Sequence, residues 1–296
     1  MASGFVLHAQ IASIPTNTTE ESKMPPSFEQ AEESNRALWD EIAPVHFNAY
    51  REVDILRRGG IALDELEVQE VGEVKGKTLL HLQCHIGTDT LSWARLGAIV
   101  TGVDFSPQSL AYARQLQQEL GLDATFIESN IYDLPQVLDG QFDIVYTSRG
   151  VLCWLRDIDA WARIIAHYLK PGGPFYIMES HPLLNVLEET APGQLSIVHP
   201  YFHRSEPTLW DDQSGDYADE SYIAQHPSYE WDWTLRDILS ALLKAGLNLE
   251  SFGEHDRLFD RRFPGMMECA PGWFQMPEYA GKLPLIFTLR AKKPGG

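Results

Sequence analysis

The sequence predicts an α/β protein whose mostly parallel sheet is covered by helices on both faces. Two observations carry that prediction. From Lys77 onward, short apolar runs alternate with helical segments five times, the signature of successive strand–helix–strand units. The first run, KTLLHL, is apolar almost without interruption, as a strand buried on both faces requires. Of the 296 residues, 44% are hydrophobic, which supports a sizeable core and opposes global disorder.

Residues 1–27 are rich in Ser, Thr, Pro and Glu and show no periodicity, so a flexible tail is expected there. Residues 28–75 read as an N-terminal helical cap. Leu38, Ile42, Val45 and Ala49 fall on one face of a helix, and Pro44 is expected to kink or split it. Residues 76–181 form the alternating core. Its strands are KTLLHL, IVTGVD, ATFIES, FDIVYTS and PFYIMES. Its helices include SPQSLAYARQLQQELG, with Ser106 as the cap and Pro107 at the first position. Residues 182–233 break the rhythm with Pro, aromatic and acidic residues and read as an insertion after the fifth strand. Residues 234–296 return to the core with the helix TLRDILSALLKAG and the strands LNLESFGEH and LPLIFTLRAKK.

The formal charge of −19 argues against nucleic acid and anionic membranes as partners. No apolar run is long enough to span a bilayer. The first residues lack the basic flank of a signal peptide. Cys84, Cys153 and Cys269 are odd in number and far apart, which fits reduced thiols. A cytoplasmic protein is expected, and the sequence leaves its oligomeric state open.

Ligands of such sheets bind at the carboxyl ends of the strands, near the switch in strand order. Asp104 ends the second strand, 21 residues beyond Gln83. At that distance an acidic side chain reaches a ribose hydroxyl of an adenosine ligand. A pyrophosphate would also need glycines for close backbone approach. The first two glycine positions of such a loop are Gln83 and His85, and only Gly87 remains. This weighs against a nicotinamide dinucleotide.

The segments LLHLQCHIGTDTLSWARLGA, VTGVDFSPQSLAYAR, SNIYDLP, FDIVYTSRGVLCWL and LKPGGPFYIMESHP, in that order, resemble the class I S-adenosylmethionine-dependent methyltransferases. The HLQCHIG form is similar to a bacterial-type subgroup of them. The resemblance runs from about Leu79 to Pro182 and implies a Rossmann-like, seven-stranded, mostly parallel sheet with an antiparallel last strand. It implies S-adenosylmethionine as cofactor and a small-molecule acceptor. Gln83, Cys84, His85 and Gly87 would flank the methionine moiety, and Asp104, followed by Phe105, would bind the ribose. Asn130 and the backbone of Ile131 would read the adenine edge, Ser148 would lie nearby, and Trp39 and Tyr50 would help close the site. The sequence departs from the family's acidic, three-glycine first motif at His81, Gln83 and His85, and from its usual third-strand Asp at Asn130.

Methyl transfer from a sulfonium is an in-line displacement that mainly needs collinear reactants. A base is required only when the acceptor must lose a proton, and histidine suits that role near neutral pH. His181, at the end of the fifth strand, and His46, on the first helix, are the candidates; each has a purely structural alternative. Arg149 could pair with a carboxylate of the ligands or within the fold. Residues 199–203 read His-x-x-x-His, but Pro200 argues for irregular backbone, so no metal site is expected. Between Ser205 and Leu235 there is no Lys or Arg, whereas Asp211, Asp212, Asp216 and Asp219 stand among aromatic residues. That segment reads either as a solvated insertion or as a lid attracting a cationic amine. Two rival functions are a nicotinamide-dependent oxidoreductase and a non-catalytic binding protein of the same fold.

Overall fold

The computed structural model describes residues 26–211 and 215–295. The tail expected over residues 1–27 lies outside them except for its last two positions, as does Asp212.

The described chain opens with α1 (Phe28–Ala49), whose N-terminus is closed by a reciprocal Ser27–Gln30 capping box. This helix is not split at Pro44. One α-helix runs through it, and Asn48 Nδ2 donates to the Pro44 carbonyl at 2.8 Å. Two short helices follow, α2 (Arg51–Arg57) and α3 (Glu65–Val71). The core then alternates β1 (Thr78–Leu82), α4 (Thr88–Arg95), β2 (Ile99–Asp104), α5 (Pro107–Leu120), β3 (Thr125–Glu128), β4 (Ile144–Ser148), α6 (Ile158–Tyr168) and β5 (Pro174–Ser180). In α5 the Ser106 hydroxyl accepts the Ser109 N–H at 3.0 Å, Pro107 sits in the first turn, and Gly121 ends the helix at φ 61°. Ser106, Pro107 and Gly121 thus set both ends of the helix.

Between β5 and the next core helix lie two small antiparallel pairs. One pairs β6 (Leu187–Ala191) with β7 (Gln194–Ile197), the other β8 (Thr208–Trp210) with β9 (Ser228–Glu230). The core resumes with α7 (Leu235–Lys244) and β10 (Asn248–His255). A hairpin absent from the sequence reading intervenes, β11 (Met267–Ala270) and β12 (Trp273–Gln275), before β13 (Ile286–Lys292).

The main sheet has seven strands in the order β10-β13-β5-β4-β1-β2-β3. Strand β13 is antiparallel to both neighbours, and the pairs from β5 through β3 are parallel. Successive residues of β1 face opposite cores. Leu80 and Leu82 pack with Trp161, Ile165 and Ile238 of α6 and α7, whereas Leu79 packs with Trp93, Tyr146 and Tyr176. The chain leaves β1 toward β2 on one side and is met by β4 on the other, so the switch in strand order falls between β1 and β4. The split between neighbouring connections there opens a crevice at the carboxyl ends of the strands.

Candidate active site

The loop after β1 keeps a glycine-rich backbone without two of the glycines. Gln83, His85 and Gly87 all have left-handed φ, at 57°, 48° and 75°. A residue with a Cβ pays roughly 1–2 kcal/mol for that conformation. Side-chain bonds hold the loop against it. Gln83 Nε2 donates to the Val151 carbonyl at 3.0 Å, and His85 Nδ1 lies 2.9 Å from Ser109 Oγ. Gly87 has a packing reason to remain, because a Cβ there would meet Ala113 Cβ at 2.9 Å and the Phe126 ring at 3.0 Å.

Asp104 closes β2 beside this loop. Its Oδ2 accepts the His85 N–H at 2.7 Å and its Oδ1 accepts the Ser106 N–H at 2.9 Å. Burial lifts its carboxyl to about 6, although the three backbone donors of Ser106, His85 and Phe105 act in the opposite sense. Asp104 faces a cavity of about 650 Å³ at the strand ends, within the size range of cofactor sites. Gln83, Cys84, His85 and Phe105 line the same cavity, as do Asn130, Ile131 and Ser148. Asn130 also caps the 3₁₀ turn Ile131–Gln136, its Oδ1 accepting the Tyr132 N–H at 3.0 Å. Trp39 and Tyr50 of the N-terminal helical region complete this wall. The Trp39 ring meets His85 and Trp154 edge-on, with centroids at 4.8 and 5.3 Å. Asp40 fixes α1 in place by accepting the Ser106 hydroxyl at 2.6 Å and the Gln108 N–H at 3.1 Å.

One end of the cavity is charged. Arg149, at a left-handed φ of 54°, pairs with the buried Glu67 carboxylate, and Ser148 Oγ donates to Asp89 at 2.8 Å. Burial works against the Arg149 charge, and the carboxylates of Glu67 and Asp89 outweigh it. Burial raises the Asp89 carboxyl in turn, against the pull of Arg149. His81 sits at the same end with its Nδ1 2.7 Å from Thr90 Oγ1, and burial pushes it down to about 3, so it is neutral. Its Nε2 and the Gln83 Oε1 have no hydrogen-bond partner among the described residues. Glu179 shapes the loop after β4. Its two oxygens accept the N–H groups of Gly150, Val151, Leu152 and Ser180 at 2.7–3.2 Å.

A chain of polar groups runs behind the other wall. Asp216 Oδ2 lies 3.0 Å from His46 Nε2, both groups nearly inaccessible. His46 Nδ1 lies 2.9 Å from His85 Nε2 and 3.1 Å from the Tyr50 hydroxyl. The Tyr50 hydroxyl in turn contacts that of Tyr217. Burial raises the Asp216 carboxyl, but the bond to His46 and the backbone N–H groups of Ala218 and Asp219 outweigh it and keep the group below the usual carboxylate range. Burial, with His46 beside it, pushes His85 well down.

Three residues named from the sequence stand elsewhere. His181 is not at the cavity. Its Nδ1 accepts the Leu183 N–H at 3.1 Å and its Nε2 lies 3.1 Å from Glu254 Oε1, so both ring nitrogens are engaged in the fold. Gly87 packs beneath the loop, and His46 stands one layer behind Tyr50. Arg149 makes an ion pair with Glu67 and also lines the cavity, its Nε without a partner among the described residues. Conversely, the cavity is also lined by Asp89, Tyr217 and the stretch Phe259–Arg262, with Phe274 of the β11–β12 hairpin. The Pro271-Gly272 pair was the sequence signal for that hairpin. Nothing local in the sequence marks Phe259–Arg262.

Residues 80–175 match the protein family described as a methyltransferase domain. The chain is 34% identical over 105 residues to a ubiquinone biosynthesis O-methyltransferase of Xanthomonas euvesicatoria pv. vesicatoria, covering 36% of this chain and 44% of that one. It is 35% identical over 109 residues to the methyltransferase phqN of Penicillium fellutanum, covering 36% and 33%. The chain thus spans less than half the length of these relatives. In fold it resembles an S-adenosylmethionine-dependent methyltransferase from Mesorhizobium loti, with a TM-score of 0.56 at 20% identity, over 77% of this chain and 96% of that one. The strand order, the cavity at the switch point and this likeness give the chain a Rossmann-like fold, whose residues 80–175 match a methyltransferase domain.

Proposed function

We propose that the protein transfers the methyl group of S-adenosylmethionine to a small molecule. The observation that carries this reading is the cavity of about 650 Å³ at the ends of β1 to β4, with Asp104 on its wall. The residues fit the cofactor. The left-handed loop at Gln83, His85 and Gly87 lets the backbone come close, as glycines would. Gln83 Oε1 and His81 Nε2 are polar atoms without partners among the described residues. Asp104 would hold the ribose, Asn130 and Ile131 the adenine edge, and Gln83 and His85 the methionine part. When bound, the cofactor supplies an electrophilic methyl group on a cationic sulfur. The protein's own task is to orient the acceptor behind that methyl and exclude water, an entropic contribution that reaches ~7–11 kcal/mol in favourable cases.

The cationic-amine reading of the acidic insertion has weaker support. Asp216 is committed to His46, and Asp219 caps a turn through the Ser221 N–H at 3.0 Å. The cavity wall carries both signs, with Arg261 and Arg262 beside Asp260 and with Glu52 and Glu268. Screening a metabolite panel with methyl-labelled S-adenosylmethionine tests the function directly. Label transferred to a small molecule supports it, and binding of the cofactor with no transfer to any metabolite would favour the non-catalytic reading.

A further inference from the structure

The polar chain behind the cavity has a direction. Asp216 is the acceptor at its far end, with Oδ1 and Oδ2 at 3.1 and 3.0 Å from His46 Nε2. An ionised carboxylate can only accept, so Nε2 carries the hydrogen and the Nδ1 lone pair points the other way. The Tyr50 hydroxyl faces that lone pair as a donor, 3.1 Å away, and His85 Nε2 lies 2.9 Å from the same nitrogen. The Tyr217 hydroxyl touches that of Tyr50 and lies 3.5 Å from the same nitrogen. The Trp39 ring packs edge-on against His46 at 5.8 Å. These are the groups that face His46 from α1, from the loop after β1 and from the insertion. Tyr50 and Tyr217 both line the cavity. Burial holds the Tyr50 hydroxyl neutral, Tyr217 is largely exposed, and each hydroxyl can give a proton and take one.

Resting on the methyltransferase reading, we propose that Tyr217, Tyr50, His46 and Asp216 form a proton relay serving an acceptor whose nucleophile is a hydroxyl of the phenol or enol type. The acceptor hydroxyl donates to the Tyr217 oxygen. As its oxygen uses an electron pair to form the new C–O bond, the bond from the methyl carbon to sulfur breaks and that pair stays on sulfur. The hydroxyl proton passes to Tyr217, the Tyr217 proton to Tyr50, and the Tyr50 proton to His46 Nδ1. His46 becomes a cation paired with the Asp216 anion, and the product is a neutral ether. The His85 ring stabilises that end state. It stays neutral throughout with its hydrogen on Nδ1, facing Ser109 Oγ at 2.9 Å, and its Nε2 accepts the new Nδ1–H of His46. The relay crosses from the insertion to α1, which explains why a residue of the 182–233 segment reaches the site at all.

Two measurements test the relay. The first needs no acceptor. Side-chain ¹⁵N NMR of the full protein should find His46 protonated at Nε2, and Asp216→Leu, which offers no acceptor, should shift it toward the Nδ1–H form. An Nδ1–H tautomer in the unaltered protein, or no change in Asp216→Leu, overturns the relay. The second uses methyl-labelled S-adenosylmethionine with a panel of phenols and matched amines. Labelled phenol ethers are expected, with transfer falling about 100-fold or more in both Tyr217→Phe and Asp216→Asn, while each variant binds S-adenosylmethionine within twofold of the parent. Label on amines alone, label on no phenol, or phenol transfer indifferent to both variants overturns the proposal. Failure of the parent protein to bind S-adenosylmethionine is a separate outcome, which removes the methyltransferase reading and the relay with it.

Discussion

The Asp104 carboxylate at the end of β2 accepts the backbone N–H of His85 at 2.7 Å. One contact thus joins the residue proposed to hold the ribose to the loop proposed to hold the methionine part. It also means that the protonation state of Asp104 governs both.

The first prediction is a pH dependence. Burial raises the Asp104 carboxyl to about 6, above its ordinary 3.8. A carboxyl raised on folding costs stability once the unfolded chain ionises, a cost absent below about pH 4 that grows between pH 4 and 6 and is complete above 6. The shift of about two units corresponds to about 3 kcal/mol. Ribose hydroxyls donate to the ionised form and offset that cost. Cofactor affinity should therefore rise with pH through about 6 and level off above it. The rise in melting temperature caused by the demethylated product should be larger at pH 7 than at pH 5. An equal or larger shift at pH 5 would remove Asp104 from the binding contact.

Glu179 gives a second. Four backbone N–H groups converge on its carboxylate, and among them is that of Val151, whose carbonyl holds Gln83. Glu179→Ala leaves these donors without their partner, at about 1–3 kcal/mol for each one that water cannot reach. Urea unfolding should show a loss of about 3 kcal/mol or more. Cofactor affinity should fall in the fraction that remains folded. A loss below 1 kcal/mol would mean that the loop after β4 is held by other contacts.

Gly87 supplies a third. It sits at a positive φ with Ala113 and Phe126 closing on the place a Cβ would occupy. Gly87→Ala should therefore destabilise by about 2–4 kcal/mol through overpacking and strain together. Because Gly87 lies beneath the loop, the effect should fall on stability more than on ligand selectivity. A thermal transition equal to the parent's would contradict that placement.

The sheet was legible because its core strands are apolar runs and helix α5 carries its own start signals at Ser106 and Pro107 and its stop at Gly121. Asp104 was legible from its spacing. The altered loop was harder, since the missing glycines at Gln83 and His85 pointed to a changed backbone, and the structure keeps the left-handed path with side-chain bonds in their place. The acceptor side was mostly illegible. Tyr217 meets Tyr50 across 167 positions of chain, and Phe259–Arg262 reach the cavity only because the β11–β12 hairpin packs its Trp273 into the core. Contacts of that range leave no periodicity to read. His181 looked placed for catalysis by its strand end alone, and its engagement by Leu183 and Glu254 could not be read from the chain.

The account turns most directly on which adenosine ligand the cavity takes. Calorimetric titration with S-adenosylmethionine, its demethylated product and NAD decides that, in the parent protein and in Asp104→Ala. Micromolar-range binding of the first two is predicted, with none for NAD. The Asp104→Ala protein should bind at least tenfold more weakly, since each charge-assisted bond to a ribose hydroxyl contributes roughly 1.5–3 kcal/mol. Measurable affinity for NAD, none for S-adenosylmethionine, or an Asp104→Ala affinity equal to the parent's would contradict the account.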